Sequence, residues 1–324
     1  MDKLDILNRK EFVDNIFNLT QQLSYNKKNA SFAIDGKWGV GKSFVLDMYE
    51  ERLSLEQSEE TNKDRYFVIR YNCWKYDYYE EPLIAIVSAM IESIEEKTKL
   101  FPDSKKKSKV LGALKAVGLS LLSMTNTAVK QKTGLDLEKA FEVVKNGSDD
   151  GAKHYEEIHN YDVYFGFNKA MSSLRKSLKE LSEEFTIVFL VDELDRCLPK
   201  YAIKVLERLH HLTENAQNTI TVIAIDKKQL EQSIKNLFGF EESKTYLKKF
   251  IEFEVELNSG TVSEKFVDKY AEYIDLFDPD IHQYEDPIEE FMQAVFQKIE
   301  AREQEQLVHR AMLVSPYGVP RFFT

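Results

Sequence analysis

The sequence predicts an α/β fold with a mainly parallel, five-stranded sheet. Three observations predict it. Short apolar stretches that read as strands alternate with stretches of helical periodicity. Two of the strands, Phe185–Asp192 and Asn218–Ile225, are apolar almost throughout, as strands buried on both faces of a parallel sheet are. And the first strand runs through a glycine-rich turn straight into a helix, in the order Gly36-Lys-Trp-Gly-Val-Gly-Lys42-Ser43.

The elements follow in order. Residues 5–25 read as a helix, with Phe12, Ile16, Phe17, Leu19 and Leu23 at helical spacing. Leu7-Asn8-Arg9-Lys10 at its start either packs under a nucleotide base or belongs to an ordinary amphipathic lead-in helix. Ser31–Asp35 is the first strand, and the helix after the glycine turn runs to about Ser54. A charged loop, Glu56–Asp64, leads to a second strand, Arg65–Asn72. Trp74, just past its end, reads as packing. A helix from Glu81 to about Lys99 carries a broad apolar face through Leu83, Ile84, Ile86, Val87, Met90, Ile91 and Ile94.

Residues 102–150 differ in composition and read as a helical insertion. They open on Lys105-Lys-Lys-Ser-Lys109, continue through the apolar stretch Val110–Met124 and end in Asn146-Gly-Ser-Asp-Asp-Gly151. The lysine run reads as a solvated face, with contact at a membrane surface through residues 102–130 as the minority reading. A helix from about Asp162 to Glu184 returns to the core. The strand Phe185–Asp192 ends in Asp192-Glu193, and Leu194–Pro199 is a loop. Tyr201–Thr213 is helical, the strand Asn218–Ile225 ends in Asp226, and Gln229–Phe238 is helical. Phe250–Leu257 alternates like a half-exposed edge strand. From Val262 the pattern is helical, with breaks at Pro279 and Pro287 and a helix from about Ile288 to Arg310. Residues 1–260 thus read as one α/β domain and 261–324 as a C-terminal helical region.

Bulk properties narrow the function. With 43% hydrophobic and 31% charged residues, a packed core is expected. A net charge of −11 argues against a generic nucleic-acid coat, and no nucleic-acid signature is present. Cys73 and Cys197, in or beside strands, read as reduced buried thiols. Met1-Asp-Lys-Leu-Asp does not open a signal peptide, and the longest apolar stretch outside the strands is shorter than the roughly 20 residues of a membrane span. A cytoplasmic protein is expected.

The glycine turn carries the chemistry. Gly36–Ser43 fits G-x-x-x-x-G-K-[ST], the loop that cradles phosphates. Glycines let backbone N–H groups approach an anion, and the helix N-terminus adds further N–H groups and a positive dipole end. Gly36, Lys37, Trp38, Gly39, Val40, Gly41, Lys42, Ser43 and Phe44 are therefore the candidate nucleotide-binding residues, with Lys42 as the mobile charge on the outer phosphates. Ser43 offers a hydroxyl to Mg²⁺. Ligands in such sheets lie beyond the strand carboxyl ends, where Gly36, Asn72, Asp192 and Asp226 all fall. Asp192 is the candidate metal carboxylate and Glu193 the candidate base for a water, the two pointing opposite ways as successive strand residues do. One strand between the loop strand and the acidic strand would place the chain in the added-strand subclass with an adjacent catalytic Glu. Asp226 is either a sensor at the phosphate or a helix cap. Arg196, Arg208 and Arg321 are candidates for an arginine supplied in trans, each with a salt bridge as its default role.

These segments resemble the KAP family of P-loop NTPases: the phosphate loop with its Trp38, Asn72-Cys-Trp-Lys-Tyr, Val191-Asp-Glu-Leu-Asp-Arg-Cys197, Ala224-Ile-Asp226, and more weakly Tyr246-Leu-Lys-Lys-Phe250 and Pro320-Arg321. The resemblance spans roughly residues 5–260. It implies an ATPase, with ATP and Mg²⁺, used as a conformational switch in bacterial or phage-related exclusion systems, and a homo-oligomer or a partner protein from the same system. Asn72, Asp226, Arg196 and Arg321 are its accessory candidates. Many members carry membrane helices between the two Walker motifs, whereas the insertion here lacks a convincing span. Members commonly continue past the Pro-Arg element, so a further C-terminal domain is expected to be missing. Two other functions compete: a nucleotide-binding scaffold with little turnover, and a small-molecule phosphotransferase, the latter disfavoured by the lack of an arginine-rich lid. No guanine-reading motif and no Leu-Ser-Gly-Gly stretch occurs.

Overall fold

The five predicted strands form one sheet in a computed structural model. It describes residues 8–57, 65–96, 104–124, 163–239 and 243–258, with isolated positions at 5, 299, 303, 304, 306, 307 and 310. Most of the Glu56–Asp64 loop, the insertion beyond residue 124, the helices read from Val262 onward, apart from those isolated positions, and Arg321 lie outside the described residues.

The strands are β1 (Ala30–Asp35), β2 (Tyr66–Asn72), β3 (Thr186–Asp192), β4 (Thr219–Ile225) and β5 (Phe253–Glu256). Their order is β2-β3-β4-β1-β5, and every pairing is parallel. β4 therefore lies between the loop strand β1 and the acidic strand β3. β3 and β4 are buried at every position, whereas β5, at the edge beside β1, alternates half-buried and exposed.

Side-chain parity sorts the sheet into two faces. Phe32, Ile34, Val68, Val188, Leu190, Val222 and Ala224 pack with α1 (Lys10–Tyr25) and α2 (Lys42–Ser54). Ile69, Tyr71, Phe189, Val191, Ile223 and Ile225 face the other layer. That layer comprises α3 (Pro82–Glu96), α4 (Ser104–Met124), α5 (Val163–Ser182), α6 (Pro199–Thr213), α7 (Lys227–Phe238) and the short α8 (Ser243–Leu247). Asp192 and Arg70 share the parity of Leu190 and Val68, so both lie on the α2 side.

Several boundaries differ from the sequence reading, for local reasons. α1 begins at Lys10, not residue 5, because the Asp5 carboxylate accepts the N–H groups of Arg9 and Lys10 and holds the chain ahead of the first turn. α6 begins at Pro199, whose fixed φ suits the first helical position. The loop before it contains a 3₁₀ turn, Leu194–Arg196. The apolar stretch Val110–Met124 is α4, and its Val110, Leu114, Val117 and Leu121 lie in the core shared with α3 and α5. Gly118 faces α3 at this seam, where a Cβ would meet a Val87 methyl at 3.4 Å, about van der Waals contact. Over the described part of the insertion, the apolar face that a lipid contact would need is thus largely buried. Lys109 and Lys115 on its flank pair with Glu180 and Glu95. Among the described residues, no helix is long and apolar enough to cross a membrane.

Candidate functional site

The glycine turn leaves β1 at Asp35 and enters α2 at Lys42. Its first glycine is pinned: the Gly36 N–H donates to the Ile225 carbonyl at 3.0 Å. A Cβ on Gly36 would lie 2.8 Å from a Val40 methyl and 3.1 Å from the Leu257 carbonyl, so no larger residue fits without displacement. Gly41 caps α2 in the left-handed region at φ +93°. The first N–H groups of α2 have no partner within the helix and open onto the loop.

Lys42 is buried and folds back over this loop. Its ammonium donates to the carbonyls of Gly36 (2.7 Å) and Lys37 (3.2 Å) and lies 3.7 Å from Asp195 Oδ2. Asp195 also accepts the Asp226 N–H at 3.2 Å. One carboxylate therefore ties the phosphate-loop lysine to the ends of β3 and β4, and the two distant segments share a crevice. The loop is anchored from behind by Arg9, which donates to the carbonyls of Val40 (2.7 Å) and Asn258 (2.6 Å). Burial lowers the pKa of that guanidinium, opposed by the Asp5 charge. Arg9 thus clamps the loop to the chain after β5; Leu7 of the base-packing segment lies outside the described residues.

The acidic end of β3 is built from side chains. Asp192 is almost fully buried. Its Oδ1 accepts the Glu193 N–H at 2.9 Å, and its Oδ2 pairs with Arg70 Nη2 at 2.8 Å. The same Arg70 nitrogen lies 3.3 Å from Asp47 of α2. Glu193 corrects the strand-parity expectation. It lies beyond the last strand residue in the left-handed region, at φ +58°, so a turn and not the pleat sets its direction. Its Oε2 accepts from Asn72 Nδ2 at 3.0 Å, and its Oε1 pairs with Arg196. Asn72 and Asp192 are register partners across β2 and β3, which explains why the amide reaches the next residue. The Arg196 guanidinium in turn stands 5.8 Å from the Trp38 ring and 5.6 Å from the Trp74 ring. Trp74 is half-exposed at the crevice mouth and not packed in the core.

The remaining candidates separate. Asp226 caps α7, accepting the Gln229 N–H, which is the second of its two readings. Arg208 is held by both Glu81 oxygens at 2.7 and 3.1 Å and stands over the Phe167 ring. Cys73 and Cys197 are free and buried, and burial pushes the Cys73 thiol well above its usual range. Residues the sequence reading passed over are Arg70, Asp195 and Asp47. Arg70 had a signal: it is a charge inside an otherwise apolar strand, on the parity that faces α2.

No group of three or more His, Cys, Asp or Glu side chains fit to hold a metal occurs among the described residues. A hydroxyl and one carboxylate are nevertheless the hard oxygen donors that suit Mg²⁺, which keeps several waters. The Arg70 guanidinium on Asp192 Oδ2 is a stand-in cation there, so the Asp192 carboxylate accommodates a positive charge, and the Ser43 hydroxyl is a donor of the kind such an ion takes.

Two comparisons bear on this crevice. The model of the KAP family P-loop domain matches residues 9–269, well over half of the chain. A search among curated proteins finds no match.

Proposed function

Because the chain belongs to the KAP family of P-loop domains, we propose that it binds ATP with Mg²⁺ and hydrolyses it, using the cycle as a conformational switch. The observation that carries this is the Lys42–Asp195 approach, which supports one crevice formed by the phosphate loop and the acidic end of β3. In it, the loop N–H groups and the start of α2 receive the phosphates, and Lys42 exchanges the carbonyls of Gly36 and Lys37 for phosphate oxygens. Ser43 and Asp192 hold Mg²⁺, which supplies charge neutralisation at those oxygens. Glu193 takes a proton from the attacking water as its oxygen bonds to the γ-phosphorus and ADP leaves. For that, Glu193 must let go of Asn72 or Arg196, so release of this carboxylate is where the switch acts on turnover.

Finer parts of the reading follow the family resemblance: a cytoplasmic setting, a role in bacterial or phage-related exclusion, assembly with further copies or with a partner protein, and a division into residues 1–260 and a C-terminal helical region. A binding module with little turnover is the second reading, favoured by the engagement of both Glu193 oxygens. Phosphate release separates the two. The wild type is expected to release phosphate from ATP, and Glu193→Gln to lose about 10²- to 10⁴-fold in rate while still binding ATP. Equal rates would overturn the assignment of Glu193, and tight ATP binding without any release would favour the binding module.

A further inference from the structure

The buried carboxylate assigned to the metal already carries a cation. Asp192 Oδ2 stands 2.8 Å from Arg70, and Asp192 Oδ1 is taken by the Glu193 N–H. A buried carboxylate stripped of its counter-charge is strongly unfavourable, whereas two cations on it repel one another. Arg70 is therefore well matched to hold this position only until another cation arrives.

The structure also supplies a place for it to go. Asp47 lies 3.3 Å from the same guanidinium nitrogen, and its side chain is 43% exposed against 3% for Asp192. It follows Ser43 by one helical turn on α2, so the metal hydroxyl and this second carboxylate share a helix face. The guanidinium is also incompletely satisfied where it stands: its Nη1 is buried with no hydrogen-bond partner among the described residues.

We propose that Arg70 is a resident cation of the site, which holds Asp192 while no nucleotide is bound and shifts its pairing to Asp47 when a divalent metal arrives with a polyphosphate. This rests on reading the crevice as a nucleotide–metal site. A metal ion alone meets the guanidinium's repulsion. A metal on a polyphosphate brings compensating negative charge, so metal binding becomes conditional on nucleotide, and by linkage the reverse holds too. Arg70 is thus a positioning residue, acting through Asp192.

Titration of the full chain with Mn²⁺, followed by electron paramagnetic resonance, tests this without reference to turnover. Wild type is expected to bind Mn²⁺ weakly in the absence of nucleotide. Arg70→Gln keeps a donor for Asp192 but removes the charge, and is expected to bind Mn²⁺ about tenfold tighter or more. Its gain in ATP affinity on adding Mn²⁺, relative to EDTA, should shrink in step. Asp47→Asn leaves Asp192 paired but removes the second carboxylate, and should reduce that metal-dependent gain several-fold. Mn²⁺ affinities within about twofold across all three proteins, with the same gain, would overturn the proposal. Should Arg70→Gln not fold, an unchanged gain in Asp47→Asn does so alone. ATP binding in EDTA separates this from the nucleotide reading. If wild type binds no ATP with or without Mn²⁺, both fall; if it binds and neither variant alters the metal response, only the role of Arg70 falls.

Discussion

On the phosphate-loop side of the crevice, backbone holds the geometry: Gly36 N–H on Ile225, Lys42 on two loop carbonyls, and Arg9 on the Val40 carbonyl. On the acidic side the outward carboxylate oxygens are held by side chains: Asp192 Oδ2 by Arg70, and both oxygens of Glu193 by Asn72 and Arg196. The Gly36–Ile225 bond cannot be exchanged without refolding the turn, and on the loop side only the Lys42 ammonium can change partners, whereas the side-chain pairs of the acidic side can be exchanged. The loop is therefore a preformed seat that gains ligands, whereas the acids must trade partners before they act. In the proposed cycle, control of turnover belongs on the second side.

Three substitutions bear on that contrast, beginning with the strongest. Lys42→Ala removes the only loop group that must change partners. It should weaken ATP binding by about a hundredfold or more, since charge-assisted bonds to phosphate are the strong ones; calorimetry or a fluorescent nucleotide checks this, with circular dichroism as the folding control. Affinity that survives would mean the backbone seat suffices. Gly36→Ala attacks the seat itself. The new methyl meets Val40 and the Leu257 carbonyl, and the overpacking should cost about 1–3 kcal/mol, read as a lower melting temperature together with weaker ATP binding. An unchanged melting temperature would show the seat to be softer than its contacts imply. Arg196→Ala leaves the seat alone and frees one Glu193 oxygen. A rise in kcat of about two- to fivefold with unchanged ATP affinity is expected, the size of a partly exposed ion pair. A fall in kcat would move Arg196 from restraint to participant.

Much of this was legible in the sequence. Nearly continuous apolar runs marked β3 and β4, alternation marked β5 as an edge, and the loop pattern located Gly36–Ser43 because each glycine there answers a steric demand. Asp192 was legible from its place at the end of a buried strand. What escaped notice depended on direction. Glutamate has no preference for positive φ, so nothing in residue type announced that Glu193 leaves the pleat. Asp195 sits in a segment read as loop, and its role comes from the 3₁₀ turn that returns it towards Lys42. Trp74 read as packing because large aromatics usually are; only the position of Arg196 shows what it stands beside. The Val110–Met124 stretch was ambiguous as composition, and its i, i+4, i+7 spacing acquires meaning only once α3 and α5 cover it.

The chain has 16 tyrosines but two tryptophans, and both indoles stand at the mouth of the crevice with one guanidinium near them. Light absorbed at the red edge, past tyrosine, therefore excites this corner of the molecule and nothing else. Any rearrangement of Arg196 alters the field and the quenching felt by the two indoles. Emission from the unlabelled protein is thus a built-in optical gauge, suited to following the proposed release of the carboxylate in real time during a stopped-flow mixing experiment.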